Sequence, residues 1–399
     1  MINKRYVLFT RIDLVKSQSG KIFCDPLWAK DLKLHLDYIT DFRICCPLIY
    51  DNDVQGLEDI TDYPIQHIFE LTKDYGFASV TKNIIPNFFR VMEACKKADI
   101  VHSGGAGWAF PLSFYLLLLR PFFSFQWVML IESSFWMLGK DEKQNPRKIL
   151  EHYLYKIILS CCFKQADARI FTQSFYRQFF LKEETKRTLI APAIWLDKDI
   201  IVSPEMVKQR LLHRTGKTLE MIFPARLIED KGVLILFDAI KFLKNLDVSV
   251  NITIMGSGKL EKDCRQFVMG DFGSVTVQYY EPIKYGIEFF NFLRNYDLVL
   301  VPNLKEEQPR IIFDAFSQGL GVIASDTSGI LDITRDGENA VICQKGNPQS
   351  LAQAISYVVE NPDLALRMGL NGLDYVSGKS HLQMHLDRQS FLVEVLDIE

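Results

Sequence analysis

Features that mark several protein classes are missing from this 399-residue sequence. Its eight cysteines form no C-x-x-C pair, which argues against a zinc site and against a disulfide framework. The adjacent cysteines at 45–46 and 161–162 lie in apolar runs, as reduced core thiols do. Lys and Arg number 46 against 49 Asp and Glu, so the basic surplus of a nucleic-acid-binding protein is also missing. A reducing cytoplasm is therefore the expected location.

The sequence also has no uninterrupted run of the roughly 20 apolar residues that a transmembrane helix needs. The most apolar stretch, 108–131, contains Pro111 and the pair Arg120-Pro121, and we interpret it as a buried helix followed by a buried strand. Its aromatic residues, with the basic-flanked amphipathic segment 147–164, leave contact with a membrane surface open as an alternative to an ordinary core. The first ten residues lead directly into a strand pattern and lack the features of a signal peptide.

Short apolar runs alternate with segments of helical periodicity along most of the chain, which is typical of doubly wound α/β domains. Strands are predicted at 6–10, 43–50, 98–102, 126–131, 168–172, 219–224, 250–255, 275–279, 298–301 and 321–325. Helices are predicted at 26–38, 87–97, 233–245, 259–268 and 286–295, from Pro309 onward, and over the last 20 or so residues. Two prolines interrupt this rhythm, so we expect a linker at about 191–205 between two domains.

The segment 302–337 carries the densest group of candidate site residues. It follows the apolar run 298–301, which suits a buried parallel strand. Glu306 lies in the loop after that strand, and Asp314 lies about one turn into a helix whose first position is expected at Pro309. A strand, a carboxylate-bearing loop, a helix and a second strand are how an open α/β sheet presents a ligand at the carboxyl ends of its strands.

These residues resemble glycosyltransferase family 4, the retaining sugar-nucleotide transferases with the GT-B fold. The family shows P-S-x-x-E, seven residues, then E-A, and here Pro302, Asn303, Glu306, Asp314 and Ala315 stand in those places. The family's glycine-rich continuation is matched by Gly319, Gly321 (for proline), Val322, Ile323, Ala324, Asp326, Gly329, Asp332 (for glutamate) and Gly337. The resemblance implies two Rossmann-like α/β domains that face each other across a cleft.

The same resemblance implies a domain plan and an activity. Residues 1–195 would form the acceptor-side domain, 196–377 the donor-side domain, and 378–399 a helix that crosses back to the first domain. The enzyme would transfer a hexose from a nucleoside-diphosphate sugar to a hydroxyl of a glycan or lipid-linked glycan in bacterial polysaccharide or glycoconjugate biosynthesis. No metal, no further cofactor and no nucleic acid is expected. The protein would be cytoplasmic. Peripheral contact with the inner face of the membrane is an open alternative.

Two cations follow the strand 219–224 and are predicted to stabilise the leaving diphosphate. Two unit charges of opposite sign 4 Å apart attract by about 4 kcal/mol at an effective dielectric constant near 20. This attraction speeds the reaction only where negative charge grows in the transition state. The family's G-R-L and K-G are matched by Ala225 (for glycine), Arg226, Leu227, Lys231 and Gly232. The alternative is a solvated turn in which Glu229 and Asp230 pair with the cations.

By the resemblance, Glu306 would contact the hexose hydroxyls and Asp314 the ribose diol of the donor. The alternative for Glu306 is a surface acidic loop. Asp314 is one methylene shorter than the family's glutamate, so its contact with the diol would be water-bridged or lost, and it would then be an ordinary residue of the helix surface. Arg310 heads the same helix, where it would bind phosphate or pair with Asp314 four residues on.

Gly256 and Gly258 form a G-x-G sequence between a predicted strand and a predicted helix. A dinucleotide-binding fingerprint needs a third glycine at position 261, where this chain has Glu261. The motif therefore does not predict NAD binding. The family has a G-x-G turn here at which the backbone approaches the nucleotide. A plain tight turn is the alternative.

In the first half, the segment HSGGAG at 102–107 follows a predicted strand and would form a backbone-lined loop facing the cleft. His102, Gly104 and Gly105 are therefore acceptor-side candidates, although His102 also fits a hydrogen-bonded histidine at a strand end. Gly20 lies in the long loop expected after the first strand, where the family's glycine loop approaches the diphosphate.

Glu132 stands where family members often have a histidine, and it would orient a sugar or acceptor hydroxyl. The departures at Glu132, Asp314 and Ala225 leave open a second hypothesis, a nucleotide-binding or scaffolding subunit that no longer transfers sugar. A phosphorylase-like enzyme would need a lysine-bound pyridoxal site, for which no signature is present. His381 and His385 share a helical face but lack a third ligand, so no metal site is expected.

Overall fold

A computed structural model describes residues 1–75, 77–105, 111–133, 136–138, 146–181, 185–212, 218–245 and 248–398. The chain divides into two compact units, Met1–Pro192 with Leu382–Glu399 (unit 1) and Ala193–His381 (unit 2). Each unit is built on its own sheet of mostly or entirely parallel strands with helices between them. Among the described residues, no helix combines the length and apolar character needed to cross a membrane.

The sheet of unit 1 has the strand order β10-β9-β8-β7-β1-β4-β2-β3-β5, with β6 also paired to β4. Its pairs are parallel except for β2–β3 and β3–β5. The strands are β1 (Ile2–Phe9), β2 (Leu14–Lys16), β3 (Ile22–Cys24), β4 (Ile39–Tyr50), β5 (Glu58–Asp59), β6 (Ile65–Leu71), β7 (Ile100–Gly104), β8 (Gln126–Ile131), β9 (Ala168–Phe171) and β10 (Thr188–Ile190).

Helices cover both faces of this sheet, which is why its central strands are continuous apolar runs. They are α1 (Pro26–Leu36), α2 (Phe77–Lys96), α3 (Leu112–Leu119), α4 (Pro146–Gln165) and α5 (Ser174–Phe180). The start of α1 is well specified, because Asp25 accepts hydrogen bonds from the amides of Leu27 and Trp28 and Pro26 occupies the first turn. One core cluster joins the sheet to α2 to α5, and a second joins its other face to α1.

Two predictions for unit 1 were wrong. The long loop expected after the first strand is a β2–β3 hairpin with Gly20 in its turn, where φ is +86° and the Gly20 amide donates to the Ser17 carbonyl at 3.0 Å. The hairpin is short and its strands lack clear alternation, so periodicity did not show it. The helix predicted at 87–97 begins ten residues earlier as α2, which continues through Pro86.

The sheet of unit 2 is fully parallel, in the order β13-β12-β11-β14-β15-β16. Its strands are β11 (Leu219–Pro224), β12 (Val250–Met255), β13 (Val275–Tyr280), β14 (Leu298–Val301), β15 (Gly321–Ser325) and β16 (Ala340–Cys343). β12 and β13 follow β11 along the chain and lie on one side of it in the sheet. β14, β15 and β16 come next and lie on the other side of β11. The order of strands therefore reverses between β11 and β14.

The helices of unit 2 pack on both faces of this sheet against two apolar clusters, except α6, which packs on α13 through a third, smaller cluster. They are α6 (Pro204–Leu212), α7 (Val233–Asn245), α8 (Glu261–Phe267), α9 (Ile287–Leu293), α10 (Arg310–Ser317), α11 (Ser328–Leu331), α12 (Pro348–Glu360) and α13 (Pro362–Val376). Helix α10 begins one residue later than predicted, because Pro309 is the N-cap and not the first helical residue.

The last helix, α14 (His381–Val395), carries a histidine into the core of unit 1. His385 Nε2 lies 2.9 Å from Asp31 Oδ1, and the His35 ring stands edge-on at 4.6 Å from the His385 ring. The sequence pairs His385 with His381 and offers no third ligand, whereas in the structure ligand atoms of His385, Asp31 and His35, all buried, lie within 4.8 Å of one another. Their direct hydrogen bond uses atoms that a metal would need. His381 instead stacks on Trp195 at 4.8 Å.

We expect unit 1 to lose stability as pH falls from about 6.5, the ordinary pKa of histidine. Burial, the main cause, lowers the pKa of His385 to about 3, so in this window the unfolded imidazole takes up a proton that the folded one does not. His385→Gln should flatten this dependence by up to about 1.4 kcal/mol per pH unit. Thermal melts across the window test this, with His67→Gln at an exposed position as the control. Equal slopes in His385→Gln and wild type would contradict it.

Candidate functional site

A cavity of about 230 Å³ lies in unit 2 at the carboxyl ends of β11 and β14. These two strands are parallel neighbours, and the strand order reverses between them. In open α/β sheets, ligands bind in the crevice at such a reversal. The cavity is lined by Phe223, Pro224, Ala225, Arg226, Lys231, Tyr285, Phe289, Leu300, Val301, Asn303, Pro309, Arg310, Ile311 and Asp314.

The two predicted cations both line this cavity. Arg226 is exposed, and within the described part of the chain it makes no ion pair. Lys231 is mostly buried and its ammonium donates to Glu307 Oε1, which also accepts from Asn303 Nδ2 at 2.9 Å. In the alternative interpretation, a solvated turn, Glu229 and Asp230 would pair with the cations. Lys231 contacts Glu307 instead. Glu307 was not predicted as a residue of the site.

Close backbone packing holds the loop that carries these cations. A Cβ at Gly232, where φ is +80°, would lie 1.9 Å from the Pro302 carbonyl oxygen, so no side chain fits there. A Cβ at Gly256 would lie 1.9 Å from the Ala225 carbonyl oxygen, and one at Gly258 would lie 2.6 Å from that of Leu227. Gly256 and Gly258 thus pack against the protein's own backbone in a tight turn and are not among the residues that line the cavity, and their approach to the nucleotide stays a prediction.

Glu306 is not among the residues that line the cavity, although its neighbour Glu307 contacts Lys231, and its contact with the donor sugar stays a prediction. Its Oε2 accepts from the amide and the hydroxyl of Ser328 at 2.7 and 2.6 Å, and its Oε1 accepts from Lys345 Nζ at 3.0 Å. Burial alone would raise the pKa of Glu306, but the hydrogen bonds from Ser328 and Lys345 outweigh burial and lower it. Glu306 is therefore an ionised residue that joins three loops beside the cavity.

Asp314 lines the cavity from α10 and is buried. Its Oδ1 accepts a hydrogen bond from the Tyr285 hydroxyl at 2.9 Å, and burial raises the pKa of Asp314 to about 7. The predicted Arg310–Asp314 ion pair is absent among the described contacts, because the Arg310 guanidinium stacks over the Trp195 ring at 5.0 Å. Sequence reasoning missed Tyr285, which no motif marks.

The acceptor-side candidates of unit 1 lie near the ends of β7 and β8. His102 is 3% exposed and its Nδ1 lies 2.7 Å from the Tyr6 hydroxyl, as the alternative of a hydrogen-bonded strand histidine predicts. Gly104 ends β7, and the Gly105 amide donates to the Leu130 carbonyl at 2.6 Å. Residues 106 and 107 of the same segment lie outside the described residues.

Glu132 follows β8 directly, at the strand end where it was expected. Its side chain is 54% exposed, and Oε1 lies 3.9 Å from Arg388 Nη2 of α14. The carboxylate is therefore exposed at the end of β8, and the long contact with Arg388 contributes little.

Comparison with known proteins agrees with the geometry of unit 2. Residues 208–374 match the family model for glycosyl transferases group 1. An uncharacterized glycosyltransferase of Methanocaldococcus jannaschii is 27% identical over 222 residues, which cover 53% of this chain and 61% of that protein. The chain thus spans less than two thirds of that relative's length. The N,N'-diacetylbacillosaminyl-diphospho-undecaprenol α-1,3-N-acetylgalactosaminyltransferase of Campylobacter jejuni is 24% identical over 76% of each chain.

Solved GT-B structures match the whole chain. The Anabaena protein HepE in complex with UDP has a TM-score of 0.65 and 14% identity, with 98% of this chain and 100% of that chain covered. Sucrose-phosphate synthase from Thermosynechococcus elongatus has a TM-score of 0.70 and 14% identity, with 99% of each chain covered. The predicted fold class is confirmed as GT-B with two Rossmann-like domains, and the relatives support a glycosyltransferase.

Proposed function

We propose that this protein is a retaining glycosyltransferase of family 4 type that transfers a hexose from a nucleoside-diphosphate sugar to a hydroxyl. The observation that carries the proposal is the grouping of Arg226, Lys231 and Asp314 around one cavity at the strand-order reversal of unit 2. Two cations suit a diphosphate, and a buried carboxylate suits a ribose diol. The UDP bound to the Anabaena structure supports a nucleoside diphosphate as the leaving group.

In the proposed reaction, the bond between the anomeric carbon and the diphosphate oxygen breaks while the acceptor oxygen bonds to the same face of the sugar. The acceptor proton passes to the departing diphosphate, and no protein nucleophile and no metal ion is needed. Negative charge grows on the diphosphate as the bond breaks, so Arg226 and Lys231 lower the barrier by binding it most strongly then. Lys231 would exchange its contact with Glu307 for a phosphate oxygen.

We propose a lipid-linked glycan as the acceptor, handled at the cytoplasmic face of a membrane. The Campylobacter relative carries diphospho-undecaprenol in its name, and other relatives are named for amylovoran and capsular polysaccharide biosynthesis. A transferase that works on a polyprenyl-linked glycan must approach the bilayer.

The proposal is tested by a thermal-shift screen with UDP-, GDP- and ADP-sugars, followed by incubation with the labelled donors that bind. A glycosyltransferase should release nucleoside diphosphate slowly by donor hydrolysis, and faster when a glycan acceptor is added. Failure of every donor to bind or to be turned over would contradict the proposal.

A second candidate, a subunit that binds the nucleotide sugar without transferring the sugar, is favoured by one observation. Asp314 stands where the family has glutamate, and its carboxyl is held back by Tyr285. A shorter side chain tied to a neighbour reaches a ribose diol less well. In the donor experiment this subunit would give binding heat and no release of nucleoside diphosphate.

We expect donor affinity to rise as pH rises through about 7, because Asp314 accepts hydrogen bonds from a diol best when ionised. The same raised pKa makes the folded protein lose stability as pH rises from about 3.9, the ordinary value, by up to about 1.4 kcal/mol per unit. Asp314→Asn should flatten both profiles. Titration calorimetry with UDP and thermal melts across this range are the measurements.

The matched variant for this prediction is Tyr285→Phe. The Tyr285 hydroxyl favours the ionised form of Asp314, so its removal should move the midpoint of both profiles to higher pH. An unchanged midpoint in Tyr285→Phe, or a pH-dependent Asp314→Asn protein, would show that another group titrates.

A further inference from the structure

Three helices of unit 1, α2, α3 and α4, form one layer on the same face of the sheet. The chain passes through β6, β7, β8 and β9 in one direction along the sheet, and α2, α3 and α4 are the successive connections. Right-handed crossovers in one direction leave their helices on one face. The inner sides of all three helices contribute to one core cluster, and α1 packs on the opposite face.

The outer side of this layer is unusually apolar for a protein surface. Eight large apolar side chains on it are between 50% and 77% exposed. They are Ile85 and Phe89 on α2, Leu118 on α3, Phe122 just after it, and Leu150, Tyr153, Leu154 and Ile157 on α4. We call these eight residues the outer apolar surface. Single exposed apolar residues are common, but this many on one layer point to an interaction.

Helix α4 shows most clearly that the outer apolar surface does not serve folding. Its buried side packs Tyr155, Leu159 and Cys162 against the core. Leu150 and Ile157 lie seven residues apart, and with the two residues at 153 and 154 they follow i, i+3, i+4, i+7 spacing on the solvent side. The helix is therefore apolar on two faces, and its core contacts account for only one.

Positive charge accompanies this surface, although the whole chain has a net charge of −3. Within α2 and α4 the acidic residues are Glu93 and Glu151, and Glu93 is already paired with Arg90 and Lys97. The basic residues of the same two helices are Lys82, Arg90, Lys96, Arg147, Lys148, Lys156 and Lys164. Long basic side chains at both ends of an apolar helix face reach lipid headgroups while their stems lie against the apolar boundary.

We propose that the outer apolar surface binds an anionic lipid bilayer, and that α4 lies in the headgroup region with its solvent-side apolar residues inserted. This inference rests on the proposed function, since a polyprenyl-linked acceptor is presented at a bilayer. Three neighbouring helices expose apolar side chains on one layer, and α2 and α4 also carry seven basic residues, a combination that fits a charged lipid surface. A negative membrane attracts such a surface, and each Lys or Arg close to it strengthens binding about fivefold.

The experiment is co-sedimentation of the full chain with vesicles of phosphatidylcholine alone or mixed with phosphatidylglycerol. We expect strong binding to the anionic vesicles, weaker binding to the neutral ones, and a decrease in anionic binding as salt is raised. Absence of binding to either vesicle, or equal and salt-independent binding to both, would overturn the proposal.

Two variants locate the contact. Leu150→Glu with Ile157→Glu should lower vesicle binding at least about tenfold, because each change puts a charge into the apolar boundary. Arg147→Ser with Lys164→Ser should weaken binding to anionic vesicles and leave binding to neutral vesicles unchanged. The control is Met269→Glu, a residue of unit 2 that is 86% exposed and should bind as wild type does. Equal loss in the control would contradict the assignment, as would a dimer in solution that the Leu150→Glu and Ile157→Glu changes dissociate.

Activity separates this inference from the proposed function. Both surface variants should release nucleoside diphosphate from a bound donor at the wild-type rate in the absence of lipid. Lys231→Ala should lose that activity and still bind anionic vesicles. Vesicle binding without any donor turnover would defeat the proposed function alone, and donor turnover without vesicle binding would defeat this inference alone.

Discussion

Lys231→Ala is expected to lower sugar transfer about 10²- to 10³-fold, the size of effect seen when one preorganised donor to a developing charge is removed. Lys231 is one of the two cations after β11 that are predicted to stabilise the leaving diphosphate, and a single charge pair at 4 Å contributes about 4 kcal/mol at an effective dielectric constant near 20. The thermal midpoint should change little. Glu307 keeps its hydrogen bond from Asn303, and its side chain is 32% exposed, so water screens the charge left behind.

The measurement is initial-rate kinetics with a donor that binds in the thermal-shift screen, together with calorimetric melting. Lys241→Ala is the matched control, since Lys241 is an exposed lysine on α7 that pairs with Asp238 at 2.9 Å. Glu307→Gln should act in the opposite direction and tighten nucleotide binding several-fold, because Lys231 then loses a competing anion. Wild-type turnover in Lys231→Ala would remove the basis of the proposed site.

Glu306→Ala is expected to abolish transfer and also to destabilise unit 2. In the described part of the chain its carboxylate accepts two hydrogen bonds from Ser328 and one from Lys345, and a hydrogen bond to a charged group contributes about 1.5–3 kcal/mol. For a domain of this size each kcal/mol lowers the midpoint by about 2–4 °C. Lys231→Ala and Glu306→Ala should therefore differ in their melting temperatures and agree in their loss of activity.

Glu306→Gln distinguishes a role of Glu306 in sugar transfer from a role in holding the surrounding loops together. The amide oxygen still accepts from Ser328, so calorimetry should show most of the stability recovered. If Glu306 acts on the donor through its charge, transfer should stay low in Glu306→Gln. Recovery of both stability and transfer would show that the residue only joins the loops. Glu338→Ala, at an exposed position in the same unit, controls for the loss of an acidic side chain.

Much of unit 2 could be predicted from the sequence because its strands are buried on both faces. The runs 219–224, 250–255, 298–301 and 321–325 have the bounds expected from their apolar residues. β6 in unit 1 was missed since its pattern, with residues at 66 and 67 exposed, has only a partly buried face. The start of α2 was predicted ten residues too late, because the helix continues through Pro86, a residue that usually interrupts a helix.

The site was predictable only in part, and the limit is a physical one. The predicted ends of the strands gave the positions of Arg226, Lys231 and Asp314. The parallel pairing of β11 with β14 then brings these residues to one cavity. The partners of these groups depend on tertiary contacts that spacing does not encode. Neighbouring carboxylates at 306 and 307 face different partners, and only the folded loop decides which one meets Lys231.

The rigid wall of the cavity limits how its preference for a nucleotide base can be redesigned. The Ala225 carbonyl packs against Gly256, so a side chain introduced at Gly256 will disturb the fold before it alters recognition. Tyr285, Phe289 and Ile311 line the same cavity with side chains, and libraries at these three positions are the route to new donors.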